Sequence, residues 1–196
     1  MKLPISYYLK DDVVDLAKSF LGKFLLTKID GVVTGGIITE TEAYEGITDK
    51  ASHAYGGLRT NRTEVMYRKG GVSYVYLCYG IHYLFNIVTN IKNTPHAVLI
   101  RGLFPLIGEK EMLRRTGKNR TGYQLTNGPG KLSKALGITA KQNGLTLNGN
   151  AVWIEDRGII CDTPDVTTSN RIGVAYAGED ALLPYRFELD YRNYIN

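Results

Sequence analysis

The chain has 196 residues, a length suited to one domain, and its 43% hydrophobic content can build a core, which excludes a disordered segment. Its formal charge is +5 and its sequence pI is about 9.1, a mild bias towards anionic partners. The only cysteines, Cys78 and Cys161, lie far apart outside any CxxC pair, which argues against a disulfide framework or a thiolate metal cluster.

In chain order, MKLPISYYLKDD has no apolar signal-peptide stretch. DDVVDLAKSFLGKFLL spaces Val13, Leu16, Ala17 and Phe20 as a helix does, with Gly22 as its stop. GGIITETEAY reads as a strand, and GITDKASHAYGGLRTNRTE as a polar loop with room for a short helix. VSYVYLCYGIHYLFNIVT reads as two strands around a turn at Gly80, and HAVLIRGLFPL as a buried strand. GEKEMLRRTGK predicts a short basic helix. TNGPGKLSKALGI predicts another, with Asn127 as N-cap, Pro129 in its first turn and Gly137 as stop. LTLNGNAVWIED, RIGVAYAG and YRFELDY are read as short strands. No run reaches the roughly 18 apolar residues of a membrane span. The expectation is a soluble α+β chain, cytoplasmic if the source is bacterial, with a largely antiparallel sheet.

Alternation places Glu40, Glu42 and Tyr44 on one strand face, with same-face neighbours about 6–7 Å apart. Two carboxylates that close repel, and burial would raise at least one pKa. Spacing alone favours an edge strand with a solvated acidic face, since acids two residues apart are common and unspecific. His53, His82 and His96 are dispersed without metal-ligand spacing, so no metal site is expected. NGPGK lacks the GxxxxGK[ST] spacing of a phosphate loop, and no GxSxG elbow is present.

Residues 73–86, SYVYLCYGIHYLFN, raise a different question: four tyrosines crowd a segment that burial alone would fill with Val, Ile and Leu. Tyr74, Tyr76 and Cys78 share one face. Tyr79 and Ile81 fall at the expected turn, where polar residues are usual. Packing beneath a neighbouring loop would explain them, and so would a wedge pushed into duplex DNA. A wedge needs cations for phosphates, and residues 110–134 hold seven Lys or Arg against Glu111 alone.

ETEAY, the loop histidine after it, YVYxxYG with a later Asn, LIR, NGPGKL and RIGVxxAGE occur in this order. Together, over almost the whole chain, they resemble the alkyladenine (3-methyladenine) DNA glycosylases of the mammalian type. The resemblance implies a single mixed α/β domain over residues 1–196, with a protruding β-hairpin that inserts into DNA, and no metal or organic cofactor. It implies Glu42 as general base, with Arg101 and the Ile172 carbonyl holding the attacking water. It implies Tyr44, His53 and Tyr76 as the sandwich for a flipped purine, and Asn86 at the pocket edge. Tyr79 would fill the gap in the duplex, with Ile81 and His82 along the minor groove. Arg114, Arg115 and Lys131, in the cationic segment, are candidate phosphate contacts. The partner implied is double-stranded DNA carrying damaged purines, met by a monomer. Glu45, where mammalian members carry an apolar residue, and the Ile81–His82 tip depart from the pattern. A binding module without turnover and a nucleoside hydrolase are the rival readings.

Overall fold

The thirteen-residue strand β2 (Val32–Tyr44) is the spine of the fold, in a computed structural model that describes residues 1–195. Its β-branched and small residues suit a strand flanked on both edges. β5 (His96–Ile107) pairs along one edge. On the other edge β1 (Phe24–Ile29) pairs with residues 32–37, and β8 (Arg186–Leu189) pairs with Glu40, Thr41 and Glu42. β3 (Val72–Cys78) and β4 (His82–Thr89) extend the sheet beyond β5, β6 (Val152–Glu155) beyond β1, and β7 (Val166–Ser169) beyond β8. All these pairings are antiparallel, giving an eight-stranded sheet.

Period-two alternation gives the sheet two different faces. Val75, Phe85, Ile87, Val98 and Ile100 join the main core with Leu16, Ala17 and Phe20 near α1 (Val13–Ser19) and Leu132, Ala135 and Leu136 of α3 (Pro129–Leu136). α2 (Glu109–Thr116) adds Met112 to the same cluster. Their neighbours in sequence point the other way. There, Tyr74, Val88 and Ala97 pack with Ala54, Val65, Met66 and Tyr67 from the segment between β2 and β3. The loop therefore lies over only part of the second face and leaves a cleft beside it.

Several expectations meet corrections. The first helix ends before a left-handed Gly22 (φ 78°), and Phe24–Ile29, to which the sequence pattern assigns no element, forms strand β1. Gly128, not Asn127, occupies the N-cap of α3, and the Asn127 side chain accepts from Lys131 Nζ instead. In LTLNGNAVWIED only Val152–Glu155 forms a strand. RIGVAYAG is not a strand: it runs as a loop into a 3-10 segment, Ala175–Leu182. Arg171 there is buried and tied to Asp49, and the Ile172 N–H turns to a side chain instead of a neighbouring strand. Strand β7 had no signal, being four residues of modest burial. No helix among the described residues is long and apolar enough to cross a membrane.

Candidate active site

One row of residues crosses the sheet: Tyr74 faces Asn86, Asn86 faces Leu99, and Leu99 faces Glu42. Adjacent strands lie about 4.8 Å apart, so the row spans roughly 14 Å. It underlies a cleft of ≈ 1080 Å³ whose walls include Tyr44, His53, Tyr74, Tyr76, Asn86, Arg101 and Ile172. All seven residues that the resemblance points to for chemistry and base binding therefore meet at this cleft, Glu42 through its partners.

Glu42 is fully buried, so the solvated acidic face is excluded. Its Oε1 accepts from the Ile172 N–H at 2.8 Å and lies 3.4 Å from Arg101 Nη1. Its Oε2 accepts from the Tyr44 hydroxyl at 2.7 Å. Each carboxylate oxygen has two acceptor sites, so each keeps one for a further donor. Burial raises the Glu42 pKa, with Arg101, the Ile172 N–H and Tyr44 opposing. That balance produces a carboxylate more basic than an exposed one. Burial and the adjoining Glu42 charge raise the Tyr44 phenol well above its usual range, so it stays a hydrogen-bond donor.

Arg101 reaches this position through an irregularity in pairing. Glu40 pairs with Gly102 and Thr41 with Ile100, which leaves Arg101 without a partner at a β-bulge. Bulges re-aim side chains. Any side chain at Gly102 would crowd Glu40, since a Cβ there would come within 3.0 Å of the Glu40 Cβ.

The aromatic wall comes from β3 and the loop before it. His53 and Tyr76 meet edge-to-face with centroids 4.6 Å apart, and Tyr74 lies 5.4 Å from Tyr76. Burial, aided by Arg62, lowers the His53 pKa to about 4, so its ring is neutral at physiological pH. Arg62 Nη2 lies 3.3 Å from His53 Nε2, a contact that makes Nε2 the acceptor and leaves the proton on Nδ1, 2.8 Å from the Tyr74 hydroxyl. Asn86 Nδ2 donates to the Tyr74 carbonyl at 3.2 Å. Across the cleft, the Arg171 guanidinium stacks 4.8 Å from the Tyr44 ring and is held by the buried Asp49.

The β3–β4 turn holds Tyr79 and Ile81, which are 89% and 72% exposed, and Tyr79 takes a left-handed φ of 49°. Tyr79 is therefore in the turn, where the sequence puts it. Tyr79 and His82 line the cleft, while Ile81 borders a small groove beside it. The His82 ring packs against α3, where a Cβ on Gly130 would approach its Cγ to 2.7 Å. Lys131, in the first turn of α3, also lines the cleft.

Arg114 and Arg115 are placed differently. Both hydrogen-bond Glu111, and neither lines the cleft. Arg115 is largely buried and donates to Thr34 Oγ1 and to the carbonyls of Ala135 and Ile29. Its guanidinium ties α2 to α3 and the sheet. Sequence reading passed over Arg62, Asp49 and Arg171. Arg171 opens the RIGV motif and had that signal, whereas nothing local marks Arg62.

The family model for methylpurine-DNA glycosylase matches residues 7–193. The chain belongs to the methylpurine-DNA glycosylase family. A relative from Chlamydia felis, named "Putative 3-methyladenine DNA glycosylase", is 48% identical over 189 residues, 96% of each chain. One of the same name from Chlamydia abortus is 46% identical over 97% of this chain and all of its own length. Another from Bacillus cytotoxicus is 43% identical over the full length of both. The chain is thus a 3-methyladenine/methylpurine DNA glycosylase, a DNA-repair hydrolase of N-glycosyl bonds with DNA as its substrate.

Proposed function

We propose that this glycosylase takes a damaged purine out of duplex DNA into the aromatic cleft and hydrolyses its bond to the sugar with one carboxylate and one water. The observation that carries the reading is a fully buried Glu42 whose Arg101, Tyr44 and Ile172 partners all line that cleft. The purine stacks between Tyr44 on one side and His53 and Tyr76 on the other, with Asn86 at its edge. Water held by Arg101 and the Ile172 carbonyl attacks C1′, and Glu42 accepts its proton. The C1′–N bond breaks with its electron pair leaving on the base, and an abasic site remains. Alkylation puts positive charge on the purine, which makes it a good leaving group and favours its capture between electron-rich rings.

Tyr79 fills the space the base leaves, Ile81 and His82 follow the minor groove, and Lys131 meets a phosphate. Flipping costs a few kcal/mol, less for a poorly paired base, and stacking returns roughly 1–3 kcal/mol per base. The two are close in size, so weak pairing of a lesion can decide which base is captured. Alkylated and deaminated purines both fit that rule. The reading places the protein in base excision repair, as a cytoplasmic monomer without a cofactor.

The test is incubation with duplex DNA carrying an alkylated purine, with the free alkylated nucleoside in parallel. Release of base with abasic sites from the duplex alone supports the reading. Cleavage of the free nucleoside at an equal rate would favour a nucleoside hydrolase, and duplex binding without release a binding module.

A further inference from the structure

The ETE segment carries two acids, and the reaction just proposed uses one. The other, Glu40, is 6% exposed and central to the sheet. Its Oε1 accepts from two guanidinium groups, Arg101 Nε at 2.9 Å and Arg186 Nε at 2.6 Å. Arg186 has anchors of its own, Ser169 Oγ at 3.0 Å and Glu188 Oε2 at 2.8 Å. Arg101 stands at the bulge, where the backbone ladder does not pair it. A guanidinium is a rigid planar fork, so fixing the Nε edge sets where the Nη groups point. With Nε on Glu40, Nη1 lies 3.4 Å from Glu42 Oε1.

We infer that Glu40 is a positioning residue that clamps the Nε edge of Arg101, so that its Nη end is presented to Glu42 and to the water Glu42 activates. The inference rests on the proposed role of Arg101 in holding that water. Glu40 also acts on Glu42 through charge. The groups facing Glu42 are Glu40 and Tyr44 on its own strand, Arg101 from β5, Arg186 from β8, and Arg171 with the Ile172 N–H from the loop. Glu40 works to raise the Glu42 pKa and Arg101 to lower it. Without the Glu40 charge its repulsion is lost, which lowers the Glu42 pKa, and the Nη end of Arg101 stays within reach of Glu42 but is no longer aimed at the water. A tie that merely joined β2 to β8 would move the limb by the lost repulsion alone and would leave the plateau rate intact.

The experiment is single-turnover excision of an alkylated purine from duplex DNA as a function of pH, with lesion binding and thermal unfolding measured alongside. Glu40→Gln is expected to lose rate on the order of 10- to 100-fold with binding little changed. Its acid limb is expected to move to lower pH by roughly one unit. Glu40→Asp, one methylene shorter but still charged, recovers part of both. Arg186→Met removes a cation near Glu42 and keeps the Glu40–Arg101 contact, so it loses less rate and moves the limb, if at all, to higher pH. Full rate and an unmoved limb in Glu40→Gln, with Glu42→Gln inactive, overturn the clamp and leave the proposed function standing. An Arg186→Met variant matching Glu40→Gln in both readouts makes Glu40 a strand tie and also overturns it. Full excision by Glu42→Gln removes the reading beneath. Should Glu40→Gln fail to unfold cooperatively, Glu40→Asp decides: a slower rate with a lowered limb supports the clamp, and parental values overturn it.

Discussion

On the carboxylate side of the cleft Glu42 is 0% exposed and touches three partners from two strands and a loop, whereas on the hairpin side Tyr79 is 89% exposed and no side-chain hydrogen bond among the described residues holds it. The first region sits where β5 and β8 cover both edges of β2, and the second at the turn of an outer hairpin. The contrast matches the two tasks proposed for these regions. Tuning a carboxylate needs low dielectric and fixed donors, which the centre of this sheet supplies. Displacing a base needs a ring that reaches outward from the surface. Between them lie Tyr76 and His53, packed at their base and open to the cleft.

The largest expected effect is at the buried end. Glu42→Gln keeps the shape and accepts hydrogen bonds but cannot take a proton, so excision should fall by about 10²–10⁴-fold with lesion binding nearly unchanged. The pH dependence sharpens this. As the proposed base Glu42 must be ionised to act, and its pKa is raised, so parental excision should begin to fall, as pH drops, above the ordinary glutamate range. His53, at about 4, titrates too low to set that limb. A limb retained in Glu42→Gln would assign the titration elsewhere.

Next comes the middle of the cleft. Tyr76→Ala removes one stacking face, worth roughly 1–3 kcal/mol, so lesion binding should weaken by about 5- to 150-fold. Unlike the Glu42 change, the loss should appear in affinity measured by titration with lesion duplex.

At the exposed end, Tyr79→Ala should slow excision from duplex by about tenfold and leave excision from a single strand almost unchanged, because nothing there has to be displaced. Equal losses on both substrates would move Tyr79 from the wedge to the pocket and erase the contrast between the two regions.

The smallest effects separate the cations. Lys131→Ala should lower the slope of log affinity against log salt by about 0.9, the share of one phosphate contact. Arg115→Ala should leave that slope unchanged and instead cost about 1–3 kcal/mol of stability, read by denaturant unfolding, since it strands buried carbonyl and hydroxyl partners. A slope change for Arg115 and none for Lys131 would put the DNA surface on α2.

Local pattern carried a good part of this molecule. Period-two spacing placed Glu40, Glu42 and Tyr44 on one face and Tyr74 with Tyr76 on another strand's face, and both groupings appear in the fold. The apolar period of α1, and Pro129 with Gly137 around α3, marked helices that form. The motif order named a family that the comparisons also find. RIGVAYAG failed as a strand because its conformation answers to partners 122 to 130 residues away, Asp49 and Glu42. The cations of residues 110–134 looked alike as charges, yet Arg115 is largely buried in the fold and Lys131 faces the cleft.

What the sequence by itself determined is the inventory and its local phase: which side chains share a strand face, where helices cap, and that an acid pair and a tyrosine cluster exist. Whether that acid pair meets water or is sealed from it was decided only by tertiary structure. Glu42 is basic because β5 and β8 close over both edges of its strand and bury it, while a bulge turns Arg101, 59 residues along the chain, towards it as the opposing charge. Burial and the direction of a charge are set by pairings between distant segments, and no local spacing encodes them.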